Sequence, residues 1–130
     1  MRTSIKVASL LSCAILVSLA GCSRGDAPPL GGVHGNVKIN GKPVEHLSVI
    51  FRPQKGKSGV GETDAQGNYT VVFGRVGQEG APVGECTISF QWPTGYQPPE
   101  GVAIPEGWAG DSETKVEVKP GNNTFDFNLE

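Results

Sequence analysis

The chain has 130 residues, a formal net charge of −2, and 37% hydrophobic residues, enough for the modest core of one small domain. Its basic residues are scattered among the acidic ones, which argues against a nucleic-acid-binding protein. The same scatter predicts no basic patch for binding lipid headgroups.

The first 21 residues have the pattern of a secretory signal peptide. Arg2 and Lys6 form a positive head, and residues 7–20 are uncharged, in a run too short for a transmembrane helix. Residues 19–22, Leu-Ala-Gly-Cys, then resemble a bacterial lipobox. The resemblance implies cleavage after residue 21 and a diacylglycerol on the thiol of Cys22, with three acyl chains such as palmitate in all. An ordinary signal peptide followed by a chance cysteine is the alternative.

Residues 22–31 continue as the lipidated cysteine and a flexible tether rich in proline and glycine. Ten such residues reach about 30 Å when extended, which keeps the following domain near the membrane. Ser23, where an aspartate would be expected for the inner membrane, resembles the outer-membrane sorting pattern of bacterial lipoproteins. The expected location is therefore the cell envelope, with the outer membrane favoured over the inner membrane.

The cysteines predict no disulfide framework. Cys13 is lost with the signal peptide, and a lipidated Cys22 cannot pair with Cys86. Cys86 lies in the alternating segment ECTISF, which predicts a small buried hydrophobic residue without a nucleophilic role.

From residue 33 onward, apolar residues recur at every second position, as in half-buried strands. Asn40-Gly41 predicts a tight hairpin, and Asp64 with Gly67 predicts a second turn. The predicted strands cover residues 33–39, 45–51, 60–63, 69–73, 85–92, 114–118 and 125–129. No helical period is found after residue 22. The pattern predicts an all-β fold, a seven-stranded antiparallel sandwich, over residues 32–130.

Four segments of the predicted domain carry a family resemblance: GNVKINGKPVEHLSVIFRP, GETDAQGNYTV, GAPVGECTISF and TKVEVKPGNNTFDFNL. Together they resemble the carboxypeptidase regulatory-like domain, and with the lipobox they are similar to small lipoproteins abundant in planctomycete bacteria. The resemblance implies a transthyretin-like (prealbumin-like) Greek-key sandwich. It also implies a protein that is not an enzyme, because in carboxypeptidases this domain accompanies the catalytic zinc domain and performs no hydrolysis. Glu45-His46 departs from the small residues common in the family.

Residues with metal-binding chemistry are few. His34 and His46 are predicted on the outward faces of adjacent strands, where Glu45 or another nearby carboxylate would complete a metal site. Zinc sites normally use three or four protein ligands, and no closely spaced ligand motif supports one here. No metal or cofactor is therefore predicted, and a metal-dependent hydrolase is kept as a third alternative.

The long segment 91–111 is not explained by strand periodicity and contains Trp92, Tyr96 and Trp108. Loops of this length are usually functional or mobile. The three aromatic residues would form a binding surface for a glycan or an extended peptide, because rigid rings supply contact area at small entropic cost. Alternatively, they cap an open end of the sandwich.

Two functional hypotheses follow. The first is a non-enzymatic lipoprotein, anchored through Cys22, that serves as an interaction or structural module of the cell envelope. The second is a carbohydrate- or peptide-binding module that uses the loop 91–111. The expected partners are the membrane and an envelope protein or glycan.

Overall fold

The computed structural model describes residues 28–75 and 77–130, and its regular elements are all β-strands. The strands are β1 Leu30–Ile39, β2 Lys42–Pro43, β3 Ser48–Pro53, β4 Gly59–Glu62, β5 Asn68–Phe73, β6 Gln78–Glu79, β7 Ala81–Pro82, β8 Gly84–Gln91, β9 Lys115–Val118, β10 Asn122–Thr124 and β11 Phe127–Leu129. This confirms the predicted all-β class for the described residues. Within them, no helix has the length and apolar character needed to span a bilayer. The predicted signal peptide and Cys22 lie outside the described residues.

The strands form a sheet in the order β10-β1-β5-β4-β3-β8-β9. The long strand β1 also pairs with β2, β7 and β11, and β6 pairs with β5. Most neighbours are antiparallel, as predicted, but β10 and β11 run parallel to β1. β1 therefore joins the C-terminal segment to the rest of the sheet.

The sheet curls, so that side chains from strands far apart in the sheet order meet in one core. The ring of Phe125 lies 6.0 Å from that of Phe51 on β3, and Phe127 on β11 lies 5.4 Å from Phe90 on β8, measured between ring centroids. The buried apolar side chains are Val33, Val37, Ile39, Val44, Leu47, Val49, Phe51, Tyr69, Val71, Ala81, Cys86, Ile88, Phe90, Val118 and Leu129. Removal of this apolar surface from water is the main force that stabilises the fold.

The predicted alternation agrees with burial along most strands. Four residues predicted to point inward are partly exposed: Phe73, Val116, Phe125 and Phe127. Phe73 is the last residue of β5, and Val116 lies on β9 at the end of the sheet order, where fewer neighbours cover a side chain.

The two predicted turns are present with their expected chemistry. Asn40 and Gly41, between β1 and β2, have φ values of 49° and 80°. Asp64 Oδ1 accepts hydrogen bonds of 2.9 Å from the N–H groups of Gln66 and Asn68, and Gly67 has a φ of 81°. Local side-chain acceptors and left-handed positions thus define both turns.

The sheet includes residues on the N-terminal side of residue 32, where the domain was predicted to begin. β1 starts at Leu30, which is paired with Pro82, and the N–H of Val83 donates a 2.9 Å hydrogen bond to the carbonyl of Pro29. The last residues of the predicted tether are therefore part of the sheet.

The predicted strand 125–129 is shorter and is preceded by a separate strand, β10. The N–H of Asn36 on β1 donates to Asp126 Oδ1 at 2.9 Å, so a side chain takes the place of a backbone acceptor between β10 and β11. This local interruption separates β11 from β10, which lies outside the predicted strand, at residues 122–124.

Strand direction defines two ends of the domain. The described chain begins at Pro28, and the registers place the loop 54–58, residues 74–75 and the turn 119–121 around that point, which we call the tether end. The opposite end, which we call the distal end, carries the turn after β1 and the long loop after β8.

Candidate binding groove at the distal end

The loop between β8 and β9 is built from three turns that repeat every six residues, at 93–96, 99–102 and 105–108. In each turn the N–H of the fourth residue donates to the carbonyl of the first, a proline, at 3.0, 3.1 and 3.3 Å respectively. The third residue is a glycine, with φ of 84°, 83° and 87° in turn. A positive φ at this position together with that hydrogen bond is the geometry of a type II turn.

The repeat places a bulky residue at the fourth position of each turn. These residues are Tyr96, Val102 and Trp108, and all three are partly buried. Val102 and Trp108 pack against the core. The loop therefore has regular local structure of its own, and the spacing of Pro-x-Gly in the sequence is the signal that strand periodicity missed.

Trp92 and Tyr96 form one aromatic pair, with ring centroids 5.7 Å apart, and Trp92 also packs against the core. Tyr96 also packs on His46, at a centroid distance of 5.1 Å and a tilt of 58°. Two of the three aromatic residues predicted as a binding surface are thus in contact with each other. His46, which was predicted on the outward face of a strand, packs against Tyr96.

Contacts on both sides hold His46 in place. Its backbone N–H donates to the carbonyl of Thr63 at 2.9 Å. Its ring nitrogens lie 3.2 Å from Glu62 Oε1 and 3.6 Å from Glu45 Oε1. The backbone φ of His46 is 65°, a left-handed value that is uncommon for residues other than glycine. The backbone here is therefore fixed by its surroundings.

Two adjoining clefts lie beside the aromatic pair, and together we call them the distal groove. The smaller, of about 140 Å³, is lined by Pro43, Val44, Glu45, Trp92, Tyr96, Pro99 and Val102. The larger, of about 310 Å³, is lined by Ile39, Asn40, Lys42, Pro43, Val44, Glu100, Gly101 and Val102. The larger volume is at the lower end of the range of roughly 300–1,000 Å³ for small-molecule sites.

The distal groove combines an apolar floor with a charged rim. Val44 is buried, and Trp92 and Tyr96 are partly exposed, whereas Lys42 and Glu100 are exposed. Such a surface can stack against a flat ligand face while the rim groups exchange hydrogen bonds with it.

Trp108 lies apart from this pair. Its ring packs edge-on against Phe90 at 5.9 Å and Phe127 at 6.5 Å, and its Nε1 donates to the carbonyl of Glu130 at 3.4 Å. Its own carbonyl accepts a 2.9 Å hydrogen bond from the N–H of Phe90. These contacts favour a packing role for Trp108.

The predicted placement of the two histidines on adjacent strands is wrong. His34 lies exposed on β1, where Nε2 is 3.0 Å from Thr124 Oγ1. His46 precedes β3 in a loop, because the positive φ and the bond to Thr63 take it out of the ladder. Among residues 28–75 and 77–130, no group of three or more His, Cys, Asp or Glu residues is arranged to hold a metal ion.

Cys86 is fully buried on β8, as predicted. Its Sγ donates a 3.5 Å hydrogen bond to the carbonyl of Pro82, and burial raises the pKa of the thiol. A raised pKa lowers the thiolate fraction, and burial blocks access to reagents, so both features disfavour nucleophilic chemistry.

Comparisons of the chain with protein-family models, with curated proteins and with solved structures find no match. The resemblance to the carboxypeptidase regulatory-like domain therefore remains a prediction from the sequence.

Proposed function

We propose that this protein is a lipid-anchored, non-enzymatic interaction module of the bacterial cell envelope, in the outer membrane in preference to the inner membrane. Acyl chains on Cys22 would hold the β-domain, and the distal groove would contact a partner. The observation that carries the proposal is the position of the groove at the end of the domain opposite the tether end. On a chain anchored through Cys22, a groove so placed would face away from the membrane.

The length of the tether supports the same arrangement. Five residues, 23–27, separate Cys22 from Pro28, the first described residue. Fully extended, this segment spans at most about 20 Å. The tether end would therefore remain close to the membrane surface.

For the fold in finer detail, we propose the transthyretin-like Greek-key sandwich that the sequence resemblance implies. Seven strands lie on the main path of the sheet, the number expected for that fold. The contact of Phe127 on β11 with Phe90 on β8 is the kind of packing that two facing layers would make.

The anchor is tested by intact mass measurement of the mature protein from membranes of a Gram-negative host. We expect a chain that begins at Cys22 and carries the mass of three acyl chains. Cys22→Ala should leave an uncleaved or soluble form without acyl mass, whereas Cys86→Ala, the matched cysteine control, should keep the lipid. A wild-type chain that begins at another residue and carries no lipid would disprove the anchor.

A second candidate function, recognition of a carbohydrate, is favoured by the Trp92–Tyr96 pair beside the smaller cleft. Aromatic faces pack well against the flat apolar side of a sugar ring, and the carboxylates of Glu45 and Glu100 can accept hydrogen bonds from hydroxyl groups. The abundance of carboxylates at this end disfavours acidic sugars, because like charges repel. A neutral or amino sugar fits this chemistry best.

Tryptophan fluorescence can test carbohydrate recognition directly. The chain has two tryptophans, so Trp108→Phe leaves Trp92 as the reporter in the groove. We expect soluble glucan or N-acetylglucosamine oligomers to change this signal saturably, and we expect Trp92→Ala to abolish binding measured by calorimetry. Unchanged affinity in Trp92→Ala would rule out the groove as the sugar site and leave the anchor unaffected.

A further inference from the structure

The charged side chains of the described residues are divided unequally between the two ends of the domain. The cations of the tether half are Arg52, Lys55, Lys57, Arg75, Lys115 and Lys119, and those of the distal half are Lys38 and Lys42. The carboxylates of the tether half are Glu79, Glu85 and Glu117. The distal half carries Glu45, Glu62, Asp64, Glu100, Glu106, Asp111, Glu113, Asp126 and Glu130. The tether half is thus net positive and the distal half strongly negative.

The basic residues of the tether end lie next to Pro28. Lys55 and Pro28 line the same cleft of about 340 Å³. Lys57 follows in the same loop, and Arg75 lies just after Phe73, whose pairing partner Gly59 ends that loop. This pairing places Arg75 next to the loop that carries Lys55 and Lys57, although Arg75 is distant from them in the sequence.

A further cation is held at this end by the C-terminal segment. The side-chain amide of Asn123 donates to the carbonyls of Gly32 at 2.9 Å and Lys119 at 2.8 Å. These bonds fix the backbone of Lys119 beside the beginning of β1. The basic surface therefore extends from the loop 54–58 to the turn 119–121.

The cations of the tether half are all exposed, and most of them form no ion pair with a described carboxylate. In the part of the chain that the structure describes, the ion pair at this end joins Lys115 Nζ and Glu85 Oε1 at 3.6 Å. Lys55, Lys57 and Lys119 have no carboxylate within 4.0 Å among the described residues.

We propose that the tether end docks on the anionic phospholipid headgroups of the membrane that holds the anchor. This rests on the proposed lipid anchor, which keeps the tether end within about 20 Å of the bilayer. Electrostatic attraction acts over a Debye length of about 8 Å at physiological salt. In the docked domain the cations of the tether end lie within this distance of the headgroups, and the distal carboxylates lie farther away than this. This proposal differs from the expectation that no basic patch would bind lipid headgroups. The difference arises because folding places cations that are scattered in the sequence at the same end of the domain.

Docking at this end would orient the domain as well as strengthen its membrane contact. Each lysine or arginine at an anionic surface strengthens binding about five-fold. If the domain turned over, the strongly negative distal half would approach the same surface and be repelled. The domain would therefore stand with the distal groove outward, instead of rotating freely on its tether.

The test is a lysine footprint of the mature protein in vesicles of phosphatidylcholine, alone or with about one third phosphatidylglycerol. A membrane-impermeant amine reagent and mass spectrometry give the modification at each lysine. We expect phosphatidylglycerol to lower labelling of Lys55, Lys57 and Lys119 by about three-fold or more, and salt of about 0.5 M to restore it. Labelling of Lys38 and Lys42 at the distal end should stay constant.

Charge reversal gives the matched variants. Lys55→Glu combined with Lys57→Glu should remove the protection of Lys119, whereas Lys38→Glu combined with Lys42→Glu should leave that protection intact. Equal labelling of Lys119 in the two kinds of vesicle, in the wild-type protein, would overturn the proposal.

The intact mass of the same sample separates failure of the anchor from failure of the docking surface. If the protein carries no lipid, the anchor is wrong, and sedimentation of the unlipidated protein with the same vesicles tests the surface by itself. Salt-sensitive sedimentation with phosphatidylglycerol vesicles would then support the surface. Lack of such sedimentation would overturn it.

Discussion

The hydroxyl of Tyr69 donates a 2.6 Å hydrogen bond to the backbone carbonyl of Phe125. Tyr69 is buried on β5, and Phe125 lies between β10 and β11, where the C-terminal segment leaves the ladder of β1. Gly35 on β1 makes this approach possible, because a Cβ at that position would collide with the Phe125 carbonyl and lie 3.0 Å from the Tyr69 hydroxyl. The bond therefore ties the end of the chain to the sheet.

Tyr69→Phe should lower the free energy of unfolding by about 1–2 kcal/mol, because it leaves a carbonyl without its partner and removes no ring packing. Urea unfolding followed by circular dichroism measures the change. Tyr96→Phe, the matched control on a partly exposed ring, should change stability by less than about 0.5 kcal/mol. Equal effects of the two substitutions would show that the bond to Phe125 contributes nothing.

The same residue predicts a loss of stability at high pH. Burial, and next the negative charge of Asp126, raise the pKa of the Tyr69 hydroxyl. A folded pKa above the unfolded value of about 10 gives stability that is present below pH 10 and is lost as the pH rises above it. Wild-type stability should therefore fall more steeply than that of Tyr69→Phe between about pH 9 and 11. Parallel pH profiles would contradict this.

Gly67→Ala should destabilise the protein more than Gly56→Ala, although both glycines have positive φ values, of 81° and 95°. A Cβ at residue 67 would lie 2.5 Å from the carbonyl oxygen of Val37, whereas a Cβ at residue 56 meets nothing within 4 Å. Gly56→Ala should cost about 1 kcal/mol for the left-handed backbone alone. Gly67→Ala should cost at least about 2 kcal/mol more, since the backbone must shift.

Urea unfolding of both variants measures this difference. A comparable loss of stability in the two would mean that the backbone conformation, and not the contact with Val37, determines the cost.

Local signals in the sequence are enough to predict most strands and the turns between them. Alternation places Val37 and Ile39 inward on β1, and Asn40-Gly41 has the left-handed φ values that its residue types favour. The parallel pairing of β10 and β11 with β1 could not be predicted in the same way. It depends on contacts such as that of Asn36 with Asp126, which are 90 residues apart.

The candidate site was predictable only in part, because it also depends on contacts between residues that are distant in the sequence. Trp92 and Tyr96 are close in the sequence and lie together, whereas Trp108 belongs to a later turn and packs on Phe90. The contact of His46 with Tyr96 depends on how the curled sheet brings two loops together. Spacing within one loop does not contain that information.

The buried thiol of Cys86 should be protected from alkylation in the folded protein. Its side chain is inaccessible, and burial raises its pKa, so few thiolates form at neutral pH. We expect iodoacetamide at pH 8 to leave Cys86 unmodified in peptide mapping of the folded protein and to modify it fully in guanidinium chloride. Rapid modification of the folded protein would contradict the burial of this thiol.

Trp108→Ala should destabilise the domain by about 2–4 kcal/mol, and Trp92→Ala by about 1 kcal/mol. Trp108 loses edge-on contacts with Phe90 and Phe127 and a hydrogen bond to Glu130, whereas Trp92 loses its contact with Tyr96 beside the groove and its packing at the edge of the core. Urea unfolding measures both losses, and Trp108→Phe, which keeps an aromatic ring, should recover part of the first. If Trp92→Ala were the more damaging change, Trp92 would be a packing residue, and the distal groove would lose its main aromatic contact with a ligand.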